Sequence, residues 1–189
     1  MNRKIVIVCL LGLTCICTAS QVDSEIQNKN VDRTIDISSQ LVKINYKITL
    51  EHKQGKPISN YIFVLPENER NHLAFISVKD TTKKELKTTE GKSPNGATFS
   101  FSFTASPNPV VYIESVYSKY LEPYPAQILQ SDKQLVRYYG NAYFYSPYKT
   151  VTQKTSIHLA SRNVENYTIV KPSSQSDTTI TYGAYDNIA

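Results

Sequence analysis

The sequence predicts an all-β fold, an antiparallel two-sheet β-sandwich of about seven to nine strands preceded by a signal peptide. Three observations carry this. Apolar residues recur with a period of two through most of the chain. Pro, Gly and Asn punctuate that pattern at short intervals, and no long amphipathic helical pattern interrupts it.

The alternation is plainest at Val42, Ile44, Tyr46, Ile48 and Leu50, which interleave with Lys43, Asn45, Lys47 and Thr49. That is a strand with one face in the core and one in water. Gln54-Gly55-Lys56-Pro57 turns the chain into a second strand, Tyr61 to Leu65, stopped by Pro66. Leu73 to Val78 makes a third. The turn signal Ser93-Pro94-Asn95-Gly96 precedes a fourth strand, with Phe99, Phe101 and Phe103 on one face. Pro107-Asn108-Pro109 ends it, and Val110 to Tyr117 follows as a strand rich in β-branched and aromatic residues.

The second half is less regular. Leu121 to Ile128 holds Pro123 and Pro125 and is expected to be extended without a ladder. Leu135 to Tyr139 and Ala142 to Tyr145 flank Gly140-Asn141 and are expected to form a hairpin. Val151 to Leu159 alternates weakly, with Ile157 and Leu159 inward. The expected organisation is a signal peptide over 1–19, a flexible lead-in over 20–30, a β-sandwich over 31–170 and a polar tail over 171–189.

The N-terminus has the three parts of a secretory signal. Arg3 and Lys4 are followed by the uncharged apolar run Ile5 to Cys17, and Cys17-Thr18-Ala19 puts small residues before the cut. Cleavage is expected between Ala19 and Ser20. The run is shorter than the roughly twenty residues a spanning helix needs. With the signal go Cys9, Cys15 and Cys17, so the mature chain has no cysteine, and its net charge falls from +5 to +3. Its lysines and arginines are dispersed among acids, which excludes the clustered basic face of a nucleic-acid-binding protein.

An enzyme needs a constellation, and the sequence offers none. His52, His72 and His158 are isolated, no metal-ligand spacing is present, and six glycines leave no phosphate-binding loop. Glu67 and Glu69 lie on an expected exposed turn, where nothing separates their acidities as catalysis requires. No catalytic, metal-binding or cofactor-binding residue is therefore expected. Asn166-Tyr167-Thr168 is the one sequon, so Asn166 is the expected glycosylation site of a lumenal chain. Nine of the fourteen tyrosines lie between Tyr112 and Tyr148. Tyrosine is enriched at interfaces because one end is apolar and the other forms hydrogen bonds. Tyr112 and one face of Tyr143 to Tyr145 are expected inside, and Tyr124, Tyr139 and Tyr148 are the candidates for a partner surface.

The stretch from Tyr120 onward carries a resemblance. Leu121-Glu122-Pro123-Tyr124-Pro125-Ala126-Gln127-Ile128, Gln130-Ser131-Asp132-Lys133-Gln134, Gly140-Asn141-Ala142-Tyr143-Phe144-Tyr145-Ser146-Pro147-Tyr148 and Leu159-Ala160-Ser161-Arg162-Asn163-Val164-Glu165-Asn166-Tyr167-Thr168 resemble the ribophorin I family. Residues 31 to 118, with Val31-Asp32-Arg33-Thr34-Ile35-Asp36, resemble it more loosely. That family is the large non-catalytic subunit of the oligosaccharyltransferase complex. The resemblance implies a lumenal place in the endoplasmic reticulum and a supporting role in N-linked glycosylation, through subunit contacts or substrate presentation. The implied partners are other subunits of that complex and nascent glycoprotein substrates. Family members continue into a second lumenal β domain, one membrane-spanning helix and a cytoplasmic region. This chain ends at Ala189, so membrane association is expected only through the complex or through a further C-terminal segment. The alternative is a secreted β-sandwich binding glycans or cell-surface partners; the absence of tryptophan, a common sugar-stacking residue, counts against it.

Overall fold

The computed structural model describes residues 22–94, 96–161, 164 and 170–188. The expected signal peptide, its cleavage point at Ala19 and Ser20, and the sequon at Asn166 lie outside the described residues. The all-β sandwich forms as expected, although it is built from more strands than the sequence suggested and one pairing is parallel.

In chain order the elements are β1 (Ile26–Asp36), β2 (Val42–His52), β3 (Ile58–Pro66), the single turn α1 (Glu67–Arg70), β4 (Leu73–Lys79), β5 (Thr88–Ser93) and β6 (Gly96–Ser106). There follow β7 (Val110–Tyr117), β8 (Leu121–Tyr124), β9 (Leu135–Tyr138), β10 (Thr150–His158), β11 (Ser174–Ser176) and β12 (Thr179–Ile188). A seven-stranded sheet runs in the order β11-β12-β10-β1-β2-β7-β4 and a three-stranded sheet in the order β3-β6-β5. β8 and β9 make a separate two-stranded ribbon. Every pairing is antiparallel except β1 with β10.

The core is the apolar face of one sheet against the other. β2 contributes Val42, Ile44, Tyr46, Ile48 and Leu50, and β7 contributes Val111, Ile113 and Tyr117. β3 and β6 answer with Tyr61, Phe63, Leu65, Phe99 and Phe101. Tyr46 meets Phe63 edge-on at 5.1 Å, so the two sheets interlock through aromatic rings.

Several strands depart from the expectation, and each has a cause. Residues 26–30, expected as a flexible lead-in, open β1. The inward residues there are Ile26 and the fully buried Asn28, and a register shift between Asn28 and Asn30 exchanges the two faces of the strand. A polar interior and a bulge together erase the period of two. β10 forms where Val151 to Leu159 was expected to alternate weakly, but its buried residues are Thr150, Gln153 and Thr155, while Ile157 and Leu159 are half-buried. The expected polar tail, 171–189, supplies β11 and β12, which continue the large sheet beside β10. Gly183 lies at a register shift with φ +95°, and a Cβ there would stand 2.7 Å from the Gln153 carbonyl. Only glycine meets both conditions.

Candidate interaction surface and its buried anchor

The tyrosine-rich stretch divides into an exposed ribbon and a buried loop. In the ribbon, β8 pairs with β9, Leu121 opposite Tyr138 and Tyr124 opposite Leu135. This replaces two expectations. Residues 121–124 are laddered, and the partner of 135–138 is β8, while 142–145 form no strand. Pro123 is tolerated because a two-stranded ribbon leaves one side of each strand unpaired.

The ribbon and the segment joining its strands carry exposed aromatic and apolar residues, with exposed Glu122 opposite Arg137. Tyr124 and Tyr139 are each 52% exposed, Leu129 is 73% exposed, and Ile128 and Val136 are also exposed. The Arg137 guanidinium lies 4.2 Å from the Tyr124 ring centre and 5.8 Å from that of Tyr139. The cation is within attractive range of both rings, which ties them into one array. The inner side belongs to the core: Tyr120 packs on Tyr117 at 5.4 Å and meets Tyr138 edge-on at 5.5 Å.

The loop from Asn141 to Tyr148 follows the opposite course. Side chains of β1 and β10 take the place of a neighbouring strand. The Gln153 carboxamide accepts from the Phe144 amide at 2.7 Å and donates to the Ala142 carbonyl at 3.0 Å. Arg33 Nη1 donates to the Tyr143 carbonyl at 3.3 Å, and Nη2 donates to that of Asn141. Asn28 donates to the Ser146 hydroxyl at 3.0 Å and accepts from the Tyr61 hydroxyl at 2.8 Å. These bonds satisfy loop groups that burial would otherwise leave costly.

Pinned in this way, the loop drives Phe144 into the core, 5.6 Å from the Tyr46 ring and 6.1 Å from that of Phe63. Tyr143 and Tyr145, of which one face was expected inside, point out, and Tyr112 is half-buried. Tyr148 corrects the expected partner surface. It is only 6% exposed, stacks on Tyr61 at 4.7 Å, and accepts a hydrogen bond from the Ile62 amide at 3.2 Å. Tyr124 and Tyr139 stand on the surface, where a partner could reach them.

A buried ionisable group lies behind the anchor. Glu69, expected on an exposed turn, is 4% exposed, and the Tyr117 hydroxyl donates to it at 3.3 Å. Burial raises its pKa, partly offset by the positive field of Arg33 and by the Tyr117 bond. Burial likewise raises the phenols of Tyr117, Tyr120 and Tyr138. Each histidine has a local structural contact. His52 Nδ1 accepts from the Gln54 amide at 3.0 Å, His72 Nδ1 lies 3.3 Å from the Ser118 carbonyl, and His158 Nδ1 lies 3.4 Å from the Thr179 hydroxyl. Among the described residues no group of three His, Cys, Asp or Glu is placed to hold a metal, and no helix is long and apolar enough to cross a membrane.

The fold and this site define a class: a β-sandwich that presents an exposed aromatic ribbon beside a loop held to the core by polar clamps. The family model for ribophorin I matches residues 26–189, and the chain belongs to that family. It is 31% identical over 180 residues to dolichyl-diphosphooligosaccharide–protein glycosyltransferase subunit 1B of Arabidopsis thaliana, covering 87% of this chain and 39% of the relative. It is 35% identical over 166 residues to subunit 1 of the same name from Caenorhabditis elegans, covering 84% and 28%. The chain thus spans well under half the length of these relatives. Among solved structures, yeast LTA4 hydrolase in complex with bestatin is similar at 9% identity and a TM-score of 0.45, covering 88% of this chain and 28% of that one.

Proposed function

We propose that the chain serves as a non-catalytic subunit of the oligosaccharyltransferase complex of the endoplasmic reticulum. It supports the transfer of oligosaccharide from dolichol pyrophosphate to Asn-x-Ser/Thr sites of nascent proteins, through subunit contacts or substrate presentation. The observation that carries this reading is the family match over residues 26–189, with relatives named as subunit 1 of that glycosyltransferase. The exposed array of Tyr124, Arg137 and Tyr139 supports a role in contact, because interface hot spots favour Tyr and Arg.

In this reading the signal is cut between Ala19 and Ser20 and the sandwich faces the lumen. Membrane association comes through the complex or through a C-terminal spanning segment, the arrangement of a single-pass type I protein. Asn166 carries a glycan. A tagged chain recovered from detergent-solubilised microsomes should bring oligosaccharyltransferase subunits with it. Recovery as a free monomer from the culture medium, without those subunits, would refute the proposal. Asn166→Gln should remove one glycan's worth of mass on a gel; an unchanged mobility means that the sequon is unused.

A further inference from the structure

An edge strand offers backbone amides and carbonyls that a further strand can take up, and folded proteins guard such edges with charge, proline, bulges, short length or a covering group. Most edges of this sandwich are guarded. β11 is three residues long, and β12 beyond it carries Asp186 and a register shift against β10. β5 carries Lys92 and Glu90, the latter paired with Arg70. On β3 the Tyr148 hydroxyl takes the Ile62 amide. In the ribbon, β8 holds Pro123 and β9 holds Arg137.

β4, the outer strand of the large sheet, is different. From Leu73 to Val78 it has no charged residue, Ala74 is exposed, and Phe75 is 51% exposed. Its ladder shows which backbone groups are open. The Val78 carbonyl accepts from the Leu86 amide at 2.8 Å, so it points away from β7. With a period of two, the amide and carbonyl of Ile76 point the same way, where no strand of the described residues lies. The side chains are open as well. Leu73, Ile76 and Leu86 are only partly buried against the core, and Phe75 stands beside Val116 on the outer face.

The opening has two defined ends. The register shift of β4 lies ahead of it, between Leu73 and Phe75. At the other end Lys79 bridges to Glu85, which also accepts from the Ser77 hydroxyl. A second copy of this chain fits poorly. Two-fold pairing of β4 centred on Ile76 would put Ala74 of one copy opposite Val78 of the other, where Leu86 already stands. Centred on Ala74, it would set Ile76 opposite His72, whose carbonyl is taken by the Ser118 amide. We propose that the β4 edge docks a short, extended, uncharged and apolar segment of a partner polypeptide as an added strand. One of its side chains covers Leu73, Ile76 and Leu86, and the next lies beside Phe75. This goes beyond the function proposed above and stands on the chemistry of the edge.

The test uses a fluorescein-labelled peptide with a Thr-Val-Ile-Val-Thr centre and its analogue N-methylated at the three central residues. The analogue keeps the apolar side chains and loses the backbone donors. Anisotropy titrations with the chain should show the unmodified peptide bound at least about tenfold more tightly. Phe75→Lys, which puts a charge on the open edge, should weaken that binding by at least about tenfold, while Ser176→Lys, at the opposite edge of the sheet, leaves it unchanged. Far-UV circular dichroism checks that the variants stay folded. Equal binding of both peptides, no binding of either, or retained affinity in Phe75→Lys would each overturn the proposal. So would a dimer in analytical ultracentrifugation that Phe75→Lys dissolves, because the edge would then belong to a second copy. A wild-type chain that binds the peptide but recovers no oligosaccharyltransferase subunits from microsomes would sink the subunit reading and uphold this one.

Discussion

Tyr139 and Tyr148 belong to one tyrosine-rich stretch, yet one stands in solvent and the other is stacked in the core. The intervening loop accounts for the difference. On the ribbon side, Tyr124 and Tyr139 flank the Arg137 guanidinium and stand exposed. On the loop side, Arg33 and Gln153 hold the backbone and Asn28 the Ser146 hydroxyl, and Phe144 and Tyr148 are drawn inward while Tyr143 and Tyr145 stay out. Polar side chains from distant strands therefore decide which aromatics are available to a partner.

The comparison can be broken most forcefully at Phe144. Phe144→Ala empties the contact with Tyr46 and Phe63 and should cost about 3–5 kcal/mol of stability in urea unfolding. A loss below about 1 kcal/mol, the scale of an ordinary surface change, would mean that the loop is not anchored through this ring. Gln153→Ala comes next. It leaves the Phe144 amide without its partner and the Ala142 carbonyl with only the Thr155 hydroxyl at 3.4 Å, and should cost about 1–3 kcal/mol. The loop should then exchange its amide hydrogens faster than the ribbon does.

A smaller effect of opposite sign is expected at Glu69. Burial raises its folded pKa above the ordinary 4.5, so the folded chain holds this proton more tightly than the unfolded chain. Its contribution is therefore fully favourable below about pH 4.5 and is lost as pH rises through the raised value. Glu69→Gln still accepts from Tyr117 and should be more stable than the wild type at neutral pH. The stability difference between the two should shrink as pH falls. A difference that stays constant with pH would show that Glu69 does not titrate in that range.

Much of the sandwich was legible because β2 and β6 keep apolar residues on one face and β7 departs from that only at Ser115. β10 was legible only as a weak alternation over Val151 to Leu159, and the start of β1 and all of β12 were not legible; in β1 and β10 the physical reason is the one that makes the anchor work. Asn28, Arg33, Gln153 and Thr155 face inward, and a polar residue in the core is indistinguishable in sequence from one on the surface. β1 was further masked by its bulge, and β12 by the register shift at Gly183. Of the candidate surface, Tyr124 and Tyr139 were chosen from density alone and do stand exposed. Tyr148 was misplaced because its burial depends on Tyr61, 87 positions earlier, and local spacing carries no sign of that pairing. A cue lay in the polar positions themselves: β10 is short of inward apolar residues, so another part of the chain had to satisfy its face.

The smallest effect on stability should accompany the largest on assembly. Arg137→Ala with Tyr139→Ala removes the exposed array without touching Phe144 or its clamps, so unfolding should shift by no more than about 0.5 kcal/mol per site. Truncating Tyr and Arg at an interface centre commonly costs 2 kcal/mol or more of binding, which is about thirtyfold in affinity. If the ribbon is the contact, recovery of partner subunits from microsomes should drop sharply while the melting curve hardly moves. Undiminished recovery from a folded double variant would place the contact elsewhere and leave the ribbon without that role. A parallel loss of stability and recovery would mean that ribbon and anchor are one cooperative unit, and the division drawn between Tyr139 and Tyr148 would then be one of exposure only.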